Sequence, residues 1–259
     1  MKNKTAILVS LCLLVGVFAL SALAQSQPQQ QKPQFFAIWE IVIEPGDASE
    51  FEAAMKNEVS LGPPYPWDAY STTDFHYYFH TPIDSFAGID NIYKMEEEWM
   101  AKMGEKSKEV EKSFAETYEY YRFGVMSLRP DLSYTPKGPA LKPEETKFVY
   151  WHFLYVEPGK EKEFEETFLK LKELWGNAGV PFAGYTYQLL MGTEMPLYVG
   201  VWVGRSEADF YAGIEKAMEK EKEAANYREL MTKAYACVRK TEIKTGWPRP
   251  DLSSLPKAK

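Results

Sequence analysis

Apolar and polar positions along this chain repeat over a long period. Phe36 to Ile43 is an apolar run broken by Pro45-Gly46, and a helical stripe carrying Phe51, Ala54 and Met55 follows. The pattern returns in Val149 to Val156, Pro158-Gly159, and the stripe Phe164, Phe168, Leu171, Trp175. The spacing from Glu44 to Glu157 equals that from Phe51 to Phe164. Each copy closes on one phrase, Arg129-Pro130-Asp131-Leu132-Ser133 and Arg249-Pro250-Asp251-Leu252-Ser253. Matched anchors in matched order mark an internal duplication.

Within each copy the pattern predicts two further strands. They fall near Ala69–Thr72 and Phe75–His80, then at Tyr185–Met191 and Tyr198–Val203 with a turn at Gly192 to Pro196. A long charged helix follows in each copy, Ile89 to Tyr118, interrupted near Gly104, and Glu207 to Ala234. The last strands are Tyr121–Leu128 and Cys237–Lys244. Ser85-Phe86-Ala87-Gly88-Ile89 is aligned with Asp209-Phe210-Tyr211-Ala212-Gly213-Ile214, one residue being inserted. The order is β-α-β-β-α-β twice, an α+β class of two tandem ferredoxin-like units. Such a sheet carries helices on one face, and its other apolar face needs a cover. The two sheets are therefore expected to close on each other as an intramolecular α+β barrel.

The strand–Pro-Gly–helix openings, Glu44-Pro45-Gly46 through Phe51 and Glu157-Pro158-Gly159-Lys160 through Phe164, together with the βαββαβ order, resemble the dimeric α+β barrel superfamily. That group includes antibiotic-biosynthesis monooxygenase-like, EthD-like and NIPSNAP-like proteins. The resemblance spans nearly the whole chain after residue 34. It implies two halves forming one barrel with a cavity between the sheets, and a fold shared by oxygenases, isomerases and haem enzymes.

The ends add a location. Lys2 and Lys4, the apolar stretch Ile7–Leu20 and Ala22-Leu23-Ala24 read as a signal peptide over 1–24. Residues 25–34 read as a disordered Gln-rich tether. The first repeat is expected over 35–135, a linker over 136–146 and the second repeat over 147–255. The expected location is periplasmic or secreted, with no membrane association after cleavage. The formal charge of −7 becomes more acidic once Lys2 and Lys4 leave, which argues against nucleic acid as a partner. Of 2 cysteines, Cys12 lies in the signal, so Cys237 has no partner for an intrachain disulfide.

Strand alternation assigns faces. The residue preceding Glu-Pro-Gly packs under the helices in this family. That places Trp39, Ile41, Ile43, His152, Leu154 and Val156 toward the helices. Ile38, Glu40, Val42, Trp151, Phe153 and Tyr155 then face the lumen. Aligning Phe86 with Phe210 puts Phe75, Tyr77, Phe79, Val199, Val201 and Val203 in the helix-side core. It leaves His76, Tyr78, His80, Gly200, Trp202 and Gly204 on the lumen wall. First and third strands are neighbours in this topology, so Glu40 is expected beside His76 and Tyr78.

Glu40 and His76 form the one acid/base constellation, with Tyr78, His80, Trp151, Phe153, Tyr155 and Trp202 as the ligand-facing wall. His76 and His80 lie roughly 13 Å apart along a strand and cannot share an ion, and Glu40 with one histidine is too small a ligand set, so no metal is expected. No phosphate loop, Ser/His/Asp order or nucleophilic cysteine is present, and no cofactor is implied. The reading is an exported barrel binding a small apolar or aromatic molecule, as a cofactor-independent monooxygenase or isomerase. Its rivals are a non-catalytic carrier, sensor or interaction module whose lumen is self-filled, and a haem protein using His152. Homo-oligomerisation is compatible with all three.

Overall fold

A computed structural model describes residues 34–138, 141–219 and 221–254. The signal peptide and most of the tether assigned from sequence lie outside these residues. The described residues form one compact unit.

The first copy runs β1 (Phe35–Val42), α1 (Ala48–Ser60), β2 (Asp68–Thr72), β3 (His76–Ile83), α2 (Ala87–Met103), α3 (Glu105–Phe114) and β4 (Tyr120–Leu128). The second runs β5 (Phe148–Val156), α4 (Glu161–Ala178), β6 (Gly184–Met191), β7 (Leu197–Gly204), α5 (Glu207–Ala217), α6 (Glu221–Tyr235) and β8 (Val238–Pro248). The break expected near Gly104 is present, with Gly104 at φ +57° between α2 and α3, a conformation that suits a residue without Cβ. The matching helix of the second copy, expected to be continuous, is also divided, into α5 and α6.

The eight strands close into one barrel in the order β1-β3-β2-β8-β5-β7-β6-β4, with β4 returning to β1. Each copy contributes the ferredoxin-like order 4-1-3-2. Two seams join the copies, β2 to β8 and β4 to β6. Closure leaves no exposed sheet edge for a second chain to pair with. A glycine sits at each seam because the backbones approach closely there. A Cβ on Gly246 would overlap the Ser71 carbonyl, and one on Gly124 would stand 2.9 Å from the Met191 oxygen.

Helix layers pack on the outside of the barrel. In α1 the buried face is Phe51, Ala54 and Met55. In α4 it includes Phe164, Phe168, Leu171 and Trp175. Phe51 and Phe164 are fully buried counterparts, each contributing about 2–3 kcal/mol of transfer free energy.

The repeated closing phrase is a crossed clamp. Arg129 leaves β4 and chelates Asp131 through Nε and Nη2 at 3.0 and 2.7 Å, while its Nη1 donates to Glu165 on α4 of the other copy at 2.5 Å. Arg249 leaves β8, chelates Asp251 at 2.9 and 2.8 Å, and grips Glu52 on α1 through both terminal nitrogens. Tyr198 and Tyr77 complete the two sites, donating to Glu165 at 2.6 Å and Glu52 at 2.8 Å. Leu132 and Leu252 are fully buried beneath the turns. Hydrogen bonding to Arg249 outweighs burial and holds the Glu52 carboxyl below its ordinary range; Arg129 does the same for Glu165.

Candidate functional site

The lumen is lined by alternate residues of each strand. Ile38, Tyr78, Trp151, Phe153, Tyr155, Leu189, Leu197 and Val199 form one buried cluster there. Trp39, Ile41 and Ile43 pack toward the helices of the first copy, and Leu154 and Val156 toward those of the second. The Glu-Pro-Gly break therefore places β1 and β5 in the expected phase.

The phase of β7 is reversed from expectation. Glu40 pairs with Tyr78 across β1–β3, and Phe153 pairs with Val199 across β5–β7. Tyr78 and Val199 are thus counterparts, so Val199, Val201 and Val203 belong to the lumen side. Trp202 is not a lumen residue. It stands in the helix layer, 4.8 Å between ring centroids from Trp175 and 6.3 Å from Tyr134, over Gly184. The physical reason is an alignment error of odd length. Phe86 immediately precedes α2 and is exposed, whereas Phe210 lies inside α5 and is buried. The two are not equivalent, and an odd shift turns every side chain of a strand to the opposite face.

Glu40, His76 and Tyr78 meet at one end of the lumen. Glu40 Oε1 lies 2.8 Å from His76 Nδ1 and accepts from the Tyr78 hydroxyl at 3.0 Å, while Oε2 accepts from Arg122 Nη1 at 3.1 Å. Glu40 faces Tyr78 directly across the ladder, and His76 reaches it diagonally. Burial pushes the Glu40 carboxyl up. The His76 hydrogen bond and charge, the Arg122 charge and the Tyr78 hydrogen bond together outweigh it, and the group sits below its ordinary range. An ionised carboxylate only accepts, so His76 Nδ1 carries the proton between them. His76 Nε2 faces Asp74 Oδ2 at 3.6 Å, and Asp74 is held in turn by Lys244. Burial next to Glu40 raises the Tyr78 phenol well above its usual value, so it stays a donor.

Arg122, Asp74 and Lys244 were not read from sequence. Alternation along β4 from Gly124 would have placed Arg122 on the lumen wall, since it pairs with Glu40 across β1–β4. Lys244 pairs with Trp151 across β5–β8 and carries the same signal.

His80 lies further along the lumen, its ring 5.1 Å from Tyr70, and burial lowers its pKa to about 4. Tyr78 packs between Trp151 at 5.9 Å and Phe153 at 6.2 Å. These rings fill the barrel. Among the described residues a cleft of about 70 Å³ opens at the Glu40 end, bounded by Glu40, Tyr78, Arg122, Phe153, Tyr155 and the β6–β7 turn at Gly192–Glu194. An apolar cavity roughly twice that size is what a single benzene ring occupies. The enclosed part of the cleft therefore has room for a few heavy atoms of a ligand.

His152 is helix-facing, as expected, but its partners are side chains rather than backbone. Nε2 lies 2.8 Å from the Thr241 hydroxyl and 3.4 Å from that of Tyr235. Thr241 donates its own hydrogen to the Phe153 carbonyl, so Nε2 of His152 is the donor. Burial lowers its pKa to about 4. With Nε2 committed to Thr241, the arrangement does not fit a haem ligand at this position.

The closed eight-stranded barrel built from two βαββαβ units is the fold expected from the resemblance to the dimeric α+β barrel superfamily, here with both halves in one chain. Solved structures bear the likeness out. An anthrone oxidase-like protein superposes with a TM-score of 0.62 at 14% identity, over 88% of this chain and 96% of that one. A candidate monooxygenase from Fusobacterium nucleatum gives 0.53 at 10% identity, over 85% and 94%. One from Lactobacillus acidophilus gives 0.50 at 12%, over 83% and 94%. At these identities the likeness is one of fold. No protein-family model and no curated protein matches the sequence.

Proposed function

We propose that the protein is an exported small-molecule-binding barrel that receives its ligand in the cleft at the Glu40 end of the lumen. One observation supports this reading above others: Glu40, Tyr78 and Arg122 converge on a cleft whose remaining wall sets Phe153, Leu189 and Leu197 beside Tyr155, Glu194 and Glu242. A concave site where apolar walls meet convergent polar groups is the usual form of a ligand pocket. Arg122 and Glu40 offer donor and acceptor to a polar end, and the rings take an apolar end.

Binding is favoured over proton transfer by the state of Glu40. Three donors keep it ionised and leave it an acceptor site, which makes a good anchor and a weak base. Turnover as a cofactor-independent oxygenase is the second reading. It draws on the likeness to an anthrone oxidase-like protein and on Glu40 being within reach of the cleft. There Glu40 takes the substrate proton, with His76 positioning it.

The test is mass spectrometry of small molecules released on denaturing wild type and Glu40→Gln. The amide keeps the shape and removes the charge, so the variant should fold and retain about tenfold less ligand. Equal retention by both proteins removes the Glu40 cleft from consideration. Oxygen uptake that is lost in Glu40→Gln would favour the second reading.

Export follows from the Lys2-to-Ala24 segment, with processing after Ala24. Intact mass of the protein recovered outside the cytoplasm checks it, and an unprocessed N-terminus counts against it.

A further inference from the structure

The helix layer of the first copy holds a second cavity, of about 200 Å³, that shares no residue with the Glu40 cleft. Its floor is Trp39 and Ile41 of β1 and Phe79 of β3. Its walls are Tyr65 and Trp67 from the α1–β2 connection, and Tyr93 stands exposed at the rim. Tyr65 and Trp67 form a corner, with centroids 5.6 Å apart and planes at 57°. The Trp67 indole is fixed there by donating to the Leu252 carbonyl at 2.8 Å. Two carboxylates also line the cavity, Glu58 from α1 and Glu96 from α2. The Tyr65 hydroxyl donates to Glu96 at 3.4 Å. Among the described residues, no cationic side chain bears on either acid.

The second copy shows that the fold itself asks for none of this. The position matching Glu58 on the opening helix is Leu171, and that matching Met55 is Phe168. Both are buried in a continuous cluster with Trp175, Phe182 and Phe210. At these positions the second helix layer is filled by Leu171 and Phe168, whereas the first keeps a cavity with two acids that no cation faces. A half-buried carboxylate pair without a counter-ion is unfavourable in an empty site and favourable around a cation. Aromatic faces around it add attraction for a positive charge that sheds its water poorly to carboxylates alone.

We propose that this cavity binds a small organic ammonium ion, its charge held between Glu58 and Glu96 and its apolar groups set against Trp39, Tyr65 and Trp67. A neutral or anionic ligand would leave both acids unpaired. The site also predicts a pH dependence. Burial, with the charge of Glu96 added, raises the Glu58 carboxyl to about 7. The titratable groups bearing on Glu58 are Glu96 and Tyr65, Tyr93 lines the same cavity, and Glu96 is in turn faced by Glu111 of α3. Burial raises the Tyr65 phenol further, so it remains protonated. A cation selects the ionised form of Glu58, so binding releases protons near neutrality and strengthens as pH rises.

Calorimetric titration of the full chain with choline, phenethylammonium and 3,3-dimethylbutan-1-ol, the uncharged carbon isostere of choline, tests the site. At least one of the two cations should saturate a single site, and the alcohol should bind about tenfold more weakly than choline or not at all. Affinity for the cation should rise about tenfold from pH 6 to pH 8. Glu58→Leu installs the residue of the second copy and should abolish binding while the protein melts no lower than wild type. Glu58→Gln should weaken binding about tenfold and abolish its pH dependence. Failure of both cations to saturate, equal binding of choline and the alcohol, or undiminished binding by Glu58→Leu would overturn the proposal.

Discussion

Arg249, at the end of the second copy, forms a two-point ion pair with Glu52 on the first helix of the first copy. Arg129 and Glu165 make the reciprocal contact. The clamps hold the copies together from both sides, while the barrel seams β2–β8 and β4–β6 join them edge to edge. Removing either arginine leaves a partly buried glutamate and an aspartate without their guanidinium partner.

Arg249→Ala and Arg129→Ala should each lower stability by about 2 kcal/mol, the typical worth of hydrogen bonds to a charged group. Urea melts with an unchanged m-value would measure this. Arg249→Lys should recover only part, because a single ammonium cannot make the forked contact. A loss below about 0.5 kcal/mol, the scale of an ordinary surface pair, would show the clamp to be incidental.

The same clamps set the acid limit. Asp251 is held down to about 2 by Arg249, and Asp131, Glu52 and Glu165 also lie below their ordinary values. Folded values below unfolded ones mean stability that is present above the ordinary carboxylate range and lost as pH falls through the folded values. The melting temperature should therefore drop between about pH 4 and pH 2. In Arg249→Ala that drop should be shallower, and an identical acid profile would refute the assignment.

Two of the 3 histidines titrate low. His80 and His152 are each lowered to about 4 by burial, so the unfolded chain binds their protons first. Stability should be full above about 6.5 and decline as pH falls toward about 4. His80→Phe should flatten this slope. NMR titration of the His80 ring is the direct check, and an ordinary value there would contradict its burial.

Trp202→Ala should cost about 3–5 kcal/mol, as an aromatic lost from a packed core. It should leave the Glu40 cleft untouched, because the indole packs on Trp175 rather than in the lumen. A variant that melts normally but loses ligand would return Trp202 to the lumen wall.

Expressed alone, residues 35–135 should self-associate or aggregate, because one copy leaves two strand edges and an apolar sheet face open. Sedimentation of the fragment decides this. A soluble, cooperatively folding monomer would mean that each sheet is sufficient by itself.

The sequence carried much of this architecture in its punctuation. Glu-Pro-Gly followed by Phe51 or Phe164 phased β1 and β5, and through them placed Glu40 opposite Tyr78. The β3–β7 equivalence had no such marker. It was hung on Phe86 and Phe210, whose loops differ in length, and one odd shift sent Trp202 to the wrong face. Arg122 and Lys244 were readable by alternation but looked like ordinary surface charges. The helix-layer cavity was harder to see, since Trp39, Glu58, Tyr65 and Glu96 come from four separate segments. Its one local trace was a glutamate at Glu58 where the second copy holds Leu171.

Joining the two halves in a single polypeptide changes what a substitution does. In a barrel assembled from two identical chains, any replacement appears in both helix layers at once. A residue that hollows one layer hollows the other, and the whole assembly bears the loss of packing. Here Leu171 can seal its layer while Glu58 leaves the other open. The second copy is free to act as ballast, supplying cohesion that the first gives up. Stabilising replacements should therefore be tolerated more widely around Phe168 and Trp175 than around Met55 and Tyr65.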